Sequence, residues 1–230
     1  MGNWPDYEID RLAGALMRVD LYEQRYLAVG EYHSVVNHLL RSASAACLSE
    51  REDEAIRLVA RASTRMDEWV RAVREGRAKA QSFADFACTR GWLAVAIAPS
   101  AVAEETARAF LIATAISPPG PVQNARMVAA AVLGEALSVN AAAQGAELSD
   151  AGLGLPLRRF VLALFAGDEA TMRKAVATWL AEKMEATMTH EWGAYNEVPI
   201  EVSGALALAE RRGRPIPVDS NRLLTRFRSP

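Results

Sequence analysis

The sequence predicts an all-α fold, with eight or nine helices packed as antiparallel hairpins in a single compact domain. Apolar residues recur at spacings of three and four along nearly all of the 230 residues, which is the period of a helix that packs against a core. The period-two alternation of a half-buried strand is almost absent. Hydrophobic residues make up 51% and charged residues 23% of the chain, so a core can form without disulfides or metals.

Helical periodicity divides the first half of the chain into segments. We expect a short helix near Pro5, a second helix over residues 21–48 and a third over residues 50–75. Gly76 suits the end of the third helix, because glycine readily takes the left-handed conformation found there. An apolar stripe predicts that this helix lies at the protein surface with one face inward. The stripe consists of Ile56, Val59, Met66, Val70 and Val73.

Proline and glycine mark the boundaries of the later helices. Residues 82–98 and 100–116 predict a hairpin broken at Pro99, because proline disfavours helical geometry in the residue before it. Ser100 is the expected N-cap of the second of these helices. The same spacing predicts a helix over residues 121–144, closed by Gly145, and a last helix over 200–212. Between them it predicts a hairpin of helices over 157–166 and 168–190, with Gly167 ending the first helix and Asp168 as the N-cap of the second.

Residues 150–156 are the strongest candidate for a boundary within the domain. They include Gly152 and Gly154 and separate two helical segments. An ordinary loop between helices is the favoured interpretation, because helix connections of this length are common. The alternative is a subdivision of the chain at this point.

Cysteine content and charge indicate a cytoplasmic protein. Cys47 and Cys88 are the only cysteines, and both are expected to pack as small hydrophobic residues in a reducing compartment. The first residues lack the basic region and apolar stretch of a secretory signal, and no apolar run is long enough to cross about 30 Å of hydrocarbon. The net charge of −2 provides no drive toward nucleic acid or an anionic membrane.

The residue types that carry catalysis or bind metals do not form a recognisable motif. His33 and His38 are five residues apart, which turns them about 140° away from each other on a helix. His190 is followed by a glutamate, as in a zinc protease helix, but Ala194 stands where the second histidine is required. We find no phosphate-binding glycine loop and no nucleophile motif, so we expect no enzyme activity, no metal and no cofactor.

A row of arginines on the third helix allows two interpretations. Arg57, Arg61 and Arg65 share one face and could bind phosphate groups. Residues 50–79 contain eight basic and seven acidic residues, however, so pairing within the helix on a solvated face is the favoured interpretation.

The clearest candidate for a binding surface is acidic and aromatic. Residues 182–201 contain five acidic residues and one basic residue, Lys183. Tryptophan and tyrosine are enriched among interface hot spots, and charge complementarity accelerates encounter with a partner. The simpler alternative is a helix end with buried aromatics and solvated acids. The predicted partner-binding residues are Glu191, Trp192, Tyr195, Glu197 and Glu201.

The C-terminal segment resembles the ending of a known family. A helix with the run Ala205, Leu206, Ala207, Leu208, Ala209 is followed by a charged turn, Gly213, a Pro-Val step and the pair Asp219, Ser220. This ending is similar to that of the immunity protein 49 family of bacterial polymorphic toxin systems. The resemblance implies a mostly helical, cytoplasmic protein that binds a cognate toxin domain and neutralises it. It assigns no binding residues, because the matching positions are of structural types.

Two functions are therefore expected from the sequence. The first is an immunity protein whose acidic and aromatic surface covers the basic active site of a toxin. The alternative is a helical adaptor or ligand-sensing module that holds a peptide or small molecule between its helices. The oligomeric state and the toxin activity that is blocked stay open.

Overall fold

The computed structural model contains ten α-helices and one short 3-10 helix in the part of the chain that it describes. That part comprises residues 14, 16–84, 86–117, 120–146, 154–189, 199–220 and 223–224. The helices are α1 (Val19–Ala28), α2 (Tyr32–Leu48), α3 (Glu52–Arg74), the 3-10 helix (Ala80–Ala84), α4 (Phe86–Ile97), α5 (Ala103–Ala113), α6 (Pro121–Leu133), α7 (Ala136–Ala146), α8 (Gly154–Ala166), α9 (Glu169–Thr189) and α10 (Ile200–Arg211). These described residues contain no β-strand, so the predicted all-α class is confirmed.

The number of helices exceeds the prediction because two long predicted helices are each divided. The segment 21–48 turns at Gly30, which has a φ of 74°, and the segment 121–144 turns at Gly134, which has a φ of 80°. Glycine takes this left-handed conformation with little strain. The apolar spacing continues across both turns because the helices on either side bury residues in the same core. The helix expected near Pro5 lies outside the described residues.

Some of the predicted helix ends are confirmed, and others differ from the structure. The third predicted helix is α3, and Gly76 follows it with a φ of 71°. Asp168 caps α9 by accepting a hydrogen bond of 3.0 Å from the backbone N–H of Thr171. Ser100 does not cap α5, because that helix begins at Ala103. Gly145 lies inside α7, which continues to Ala146.

The buried face of α3 differs by one residue from the predicted stripe. Val59, Met66 and Val70 are buried as expected, whereas Ile56 is 40% exposed. Ala55 and Leu58 take the inward positions in the first turns. The error arises because two apolar residues stand side by side in this helix, and periodicity alone does not choose between them.

Helix α4 lies at the centre of the fold. It packs against α2, α3, α6 and α10, and residues 87–97 are all buried. Aromatic rings extend the core from this helix, with centroids 5.3 Å apart for Trp92 and Phe110 and 5.0 Å apart for Phe110 and Phe83. The core therefore surrounds α4.

The membrane and cysteine predictions can be compared with the described helices. None of these helices combines the length and the apolar character that a membrane crossing requires. Cys47 and Cys88 form no disulfide, and Cys88 is buried.

Candidate partner-binding site

Most of the predicted binding surface lies outside the described residues. Glu191, Trp192, Tyr195 and Glu197 all belong to residues 190–198. Their proposed role as an acidic and aromatic surface stays a prediction. The flanking residues Thr189, at the end of α9, and Pro199, which is buried before α10, are described.

Glu201, the fifth predicted binding residue, is inside the protein. Its side chain is 4% exposed, and its Oε1 atom lies 2.7 Å from Nε of Arg90. A carboxylate in this position cannot contribute to an exposed acidic surface. The sequence pattern suggested a surface residue because glutamate is rarely fully buried unless it is paired. Its partner comes from α4, more than one hundred positions earlier in the chain.

Arg90 is the centre of a small buried polar cluster. It is 6% exposed, its Nη1 atom donates a 3.0 Å hydrogen bond to Oδ1 of Asn37, and its guanidinium lies 5.5 Å from the ring centre of Phe86. Lys183 of α9 also approaches the carboxylate, with Nζ 4.0 Å from Oε1 of Glu201. The cluster therefore joins α2, α4, α9 and α10.

The electrostatics of this cluster keep Glu201 ionised. Burial acts to raise the pKa of its carboxyl group, but the positive charges of Arg90 and then Lys183 lower it by more, so the pKa lies below its usual value. The first turn of α10 is thereby held in place, because a buried carboxylate that left Arg90 would leave both charges without a partner.

The sequence analysis did not predict that Arg90 holds α10 against α4, although the sequence contains a signal for this role. It is the only charged residue in the twelve residues of α4. A single charge in an apolar helix indicates that the helix is buried and that the charge has a partner elsewhere. The identity of that partner is not visible in the sequence.

The arginine row pairs with carboxylates in a way that differs from the prediction. Arg61 contacts Asp20 at 2.6 Å and also contacts Glu23, and Nε of Arg65 donates a 2.6 Å hydrogen bond to Glu23. Both acids belong to α1, so these pairs join two helices and lie only partly on a solvated face. Pairing within α3 is seen between Arg65 and Glu68, at 2.6 Å.

These ion pairs raise the pKa values of the guanidinium groups of Arg61 and Arg65. Burial lowers the pKa values of Arg61 and Arg65, but the hydrogen bonds that they donate to Glu23 and to the other neighbouring acids, together with the charges of these acids, outweigh burial, so both pKa values are raised. Glu23 is itself 4% exposed. Arg61 and Arg65 therefore attach α1 to α3, and their charge is already neutralised.

The described histidines face different surroundings. His33 lies 6.4 Å from the ring of Trp69 in α3, and His38 lies 4.9 Å from the ring of Tyr22 in α1. Burial, followed by the charge of Arg41, lowers the pKa of His38. Within the described ranges, no three histidine, cysteine, aspartate or glutamate residues are grouped as a metal would require. His190 lies outside these ranges.

Two C-terminal arginines lie against the ends of other helices. The guanidinium of Arg212 stands beside Gly134 at the end of α6, 4.9 Å from the ring centre of Phe165. Arg214 stands in the same way beside Gly167, which follows α8. A positive charge at a helix C-terminus interacts favourably with the helix dipole. Arg212 and Arg214 are exposed, and they thus also help to hold the segment that follows α10 in place.

The C-terminal residues that resemble the ending of a known family form part of the core and the turn after it. Residues 200–209 of α10 are all buried, and Gly213 turns the chain with a φ of 68°. Comparison of the chain with protein-family models, with curated proteins and with solved structures finds no match.

Proposed function

We propose that this chain is a cytoplasmic immunity protein that binds a cognate bacterial toxin domain and neutralises it by covering its active site. The observation that carries the proposal is the similarity of residues 205–220 to the ending of an immunity protein family. The similar residues lie in helix α10, in the turn at Gly213 and in the segment that follows this turn. The binding surface is the acidic and aromatic segment that precedes this helix.

The buried cluster fixes the first turn of α10, the helix that follows the proposed binding segment in the sequence. Glu201 is paired with Arg90 and approached by Lys183, so the chain enters α10 at a position held by charge and burial. With Glu201 inside the protein, the negative charge offered to a toxin comes from Glu191 and Glu197. Trp192 and Tyr195 are the proposed anchors, because aromatic residues dominate binding energy at interfaces.

The first experiment is to search the genes beside that of this chain for a toxin-like domain and to co-express the two proteins; the lack of such a domain would count against the proposed function. A heterologous bacterium that produces the toxin domain should grow only when this chain is also produced, and the two proteins should co-purify. Unchanged toxicity at good soluble expression of this chain would contradict the proposed function.

The second experiment locates the surface by charge reversal. The variant Glu191→Lys/Glu197→Lys should bind the toxin at least tenfold more weakly and with less dependence on salt, because charge repulsion replaces attraction. The matched control is Asp53→Lys/Glu104→Lys, which makes the same change of charge at two exposed acids on α3 and α5. Equal affinities for the two variants would place the interface elsewhere while leaving toxin neutralisation intact.

One observation favours the alternative function, a ligand-sensing module. A cavity of about 60 Å³ lies between α3 and α5, and it is lined by charged groups of both signs. If toxicity is unchanged by this chain, binding of a small molecule in this cavity becomes the leading function.

A further inference from the structure

The cavity between α3 and α5 contains a buried carboxylate without a partner. Asp67 lines the cavity and is 4% exposed. Its Oδ1 atom is buried and accepts no hydrogen bond. A buried carboxylate in this state is costly, and the cost is relieved when a group with N–H donors and positive charge binds beside it.

Two positively charged side chains line the same cavity. Arg71 and Arg74 line it from α3, and both are exposed. Within the described part of the chain, neither arginine forms an ion pair. Their guanidinium groups are therefore available to bind a carboxylate, for which their planar arrangement of N–H donors is well suited.

The remaining lining completes a site for a small molecule with both charges. Glu105 and Thr106 of α5 add a second carboxylate and a hydroxyl group, while Val70, Val102 and Ala109 supply apolar surface. The volume of about 60 Å³ holds roughly four to six water-sized groups, at about 10 to 15 Å³ for each. This matches the size of the smallest α-amino acids.

We propose that the cavity between α3 and α5 binds a small zwitterionic amino acid such as alanine, glycine or serine. The ammonium group is recognised by Asp67, with Glu105 and Thr106 beside it. The carboxylate group is recognised by Arg71 and Arg74. The apolar residues accept a short side chain and exclude a long one. The residues of this site belong to α3, α5 and the residue before α5, and none of them is among the residues proposed to bind a toxin.

The test uses the purified full chain and does not involve a toxin, so its failure is distinguishable from failure of toxin neutralisation. Thermal unfolding and calorimetric titration are measured with alanine, glycine and serine. Ethylamine and propionate serve as controls, because each carries only one of the two charged groups. We expect the amino acids to raise the melting temperature with increasing concentration and each control compound to bind at least about tenfold more weakly.

Two variants test the assignment of residues. Asp67→Asn should lower the affinity for alanine about tenfold or more, because a charge-assisted hydrogen bond is lost. Without ligand it should unfold at the same or a higher temperature than the parent chain, because the buried charge is removed. Arg71→Gln/Arg74→Gln should weaken binding to a similar degree, and its two exposed positions keep the test valid if Asp67→Asn fails to fold.

The matched control is Arg57→Gln, which removes an exposed arginine of α3 that does not line the cavity. It should bind alanine as tightly as the parent chain. The proposal is overturned if none of the three amino acids shifts the melting temperature, in which case the cavity holds water. It is also overturned if Asp67→Asn and the arginine variant bind alanine with unchanged affinity.

Discussion

A single charge in the central helix requires a partner, and Arg90 has one in Glu201. Both side chains are almost fully buried, and Asn37 accepts a hydrogen bond from Nη1 of the guanidinium. Removing one member of such a pair leaves the other charge desolvated, which costs far more than losing an exposed ion pair. The pair therefore specifies where the first turn of α10 meets α4.

We expect Glu201→Gln to lower the free energy of unfolding by about 3 kcal/mol, because Arg90 loses the carboxylate that neutralises it. Urea denaturation followed by circular dichroism measures this difference. The control is Glu169→Gln, which removes an exposed pair with Arg173 and should cost less than about 0.5 kcal/mol. The double variant Arg90→Met/Glu201→Leu should recover most of the loss. A loss for Glu201→Gln as small as that of the control would contradict the structural role of the pair.

The same carboxylate predicts how stability depends on pH. The pKa of Glu201 is lower in the folded protein than its usual value, so its contribution to stability is present above the unfolded pKa of about 4.3. That contribution is lost as the pH falls through the lower folded pKa. The difference in unfolding free energy between the parent chain and Glu201→Gln should therefore be constant near pH 7 and shrink below about pH 4.3. A constant difference down to pH 2 would contradict this linkage.

At the scale of elements, α10 approaches α4 closely through a glycine. A Cβ atom added at Gly204 would lie 2.6 Å from Cβ of Leu93 and 2.9 Å from its backbone oxygen. Small residues allow helix axes to approach in this way. A side chain at this position would push apart the two helices that the Arg90 pair holds together.

We expect Gly204→Ala to destabilise the protein by about 2 kcal/mol, because overpacking against backbone atoms outweighs the better helix propensity of alanine. The matched control is Gly91→Ala in α4, where an added Cβ would meet the flexible side chain of Met66. Met66 can move aside, so this variant should cost less. Thermal unfolding of both proteins tests the order, and the reverse order would indicate that α10 and α4 are further apart.

At the scale of the whole molecule, the two sides of residues 150–156 are joined through the core. Helix α10 packs against α4, and α8 packs against α6 and α7. Elements from the second half of the chain thus bury surface contributed by the first half. Such shared burial is the physical basis of cooperative unfolding.

We therefore expect a single unfolding transition for the full chain. Trp69 and Trp92 precede residues 150–156, and Trp179 follows them, and all three are buried. Tryptophan fluorescence and far-ultraviolet circular dichroism should give the same urea midpoint. Two separated midpoints would favour the subdivision of the chain near residues 150–156.

The sequence by itself determined the all-α class and the approximate extents of α3, α8, α9 and α10. These follow from local signals, namely apolar periodicity, the cap at Asp168 and the glycines after α3 and α8. Such signals act within a few turns of one helix, so neighbouring residues suffice to express them. The acidic and aromatic residues Glu191, Trp192, Tyr195 and Glu197 were also proposed from the sequence alone.

Only the tertiary structure decided which charges are buried and which are exposed. It placed Glu201 against Arg90, joined Arg61 and Arg65 to α1, and left Asp67 in a cavity beside two arginines. It also divided two predicted helices at Gly30 and Gly134. These outcomes depend on the packing of elements that are far apart in the chain, and a pattern read along one helix contains no information about the partner it will meet.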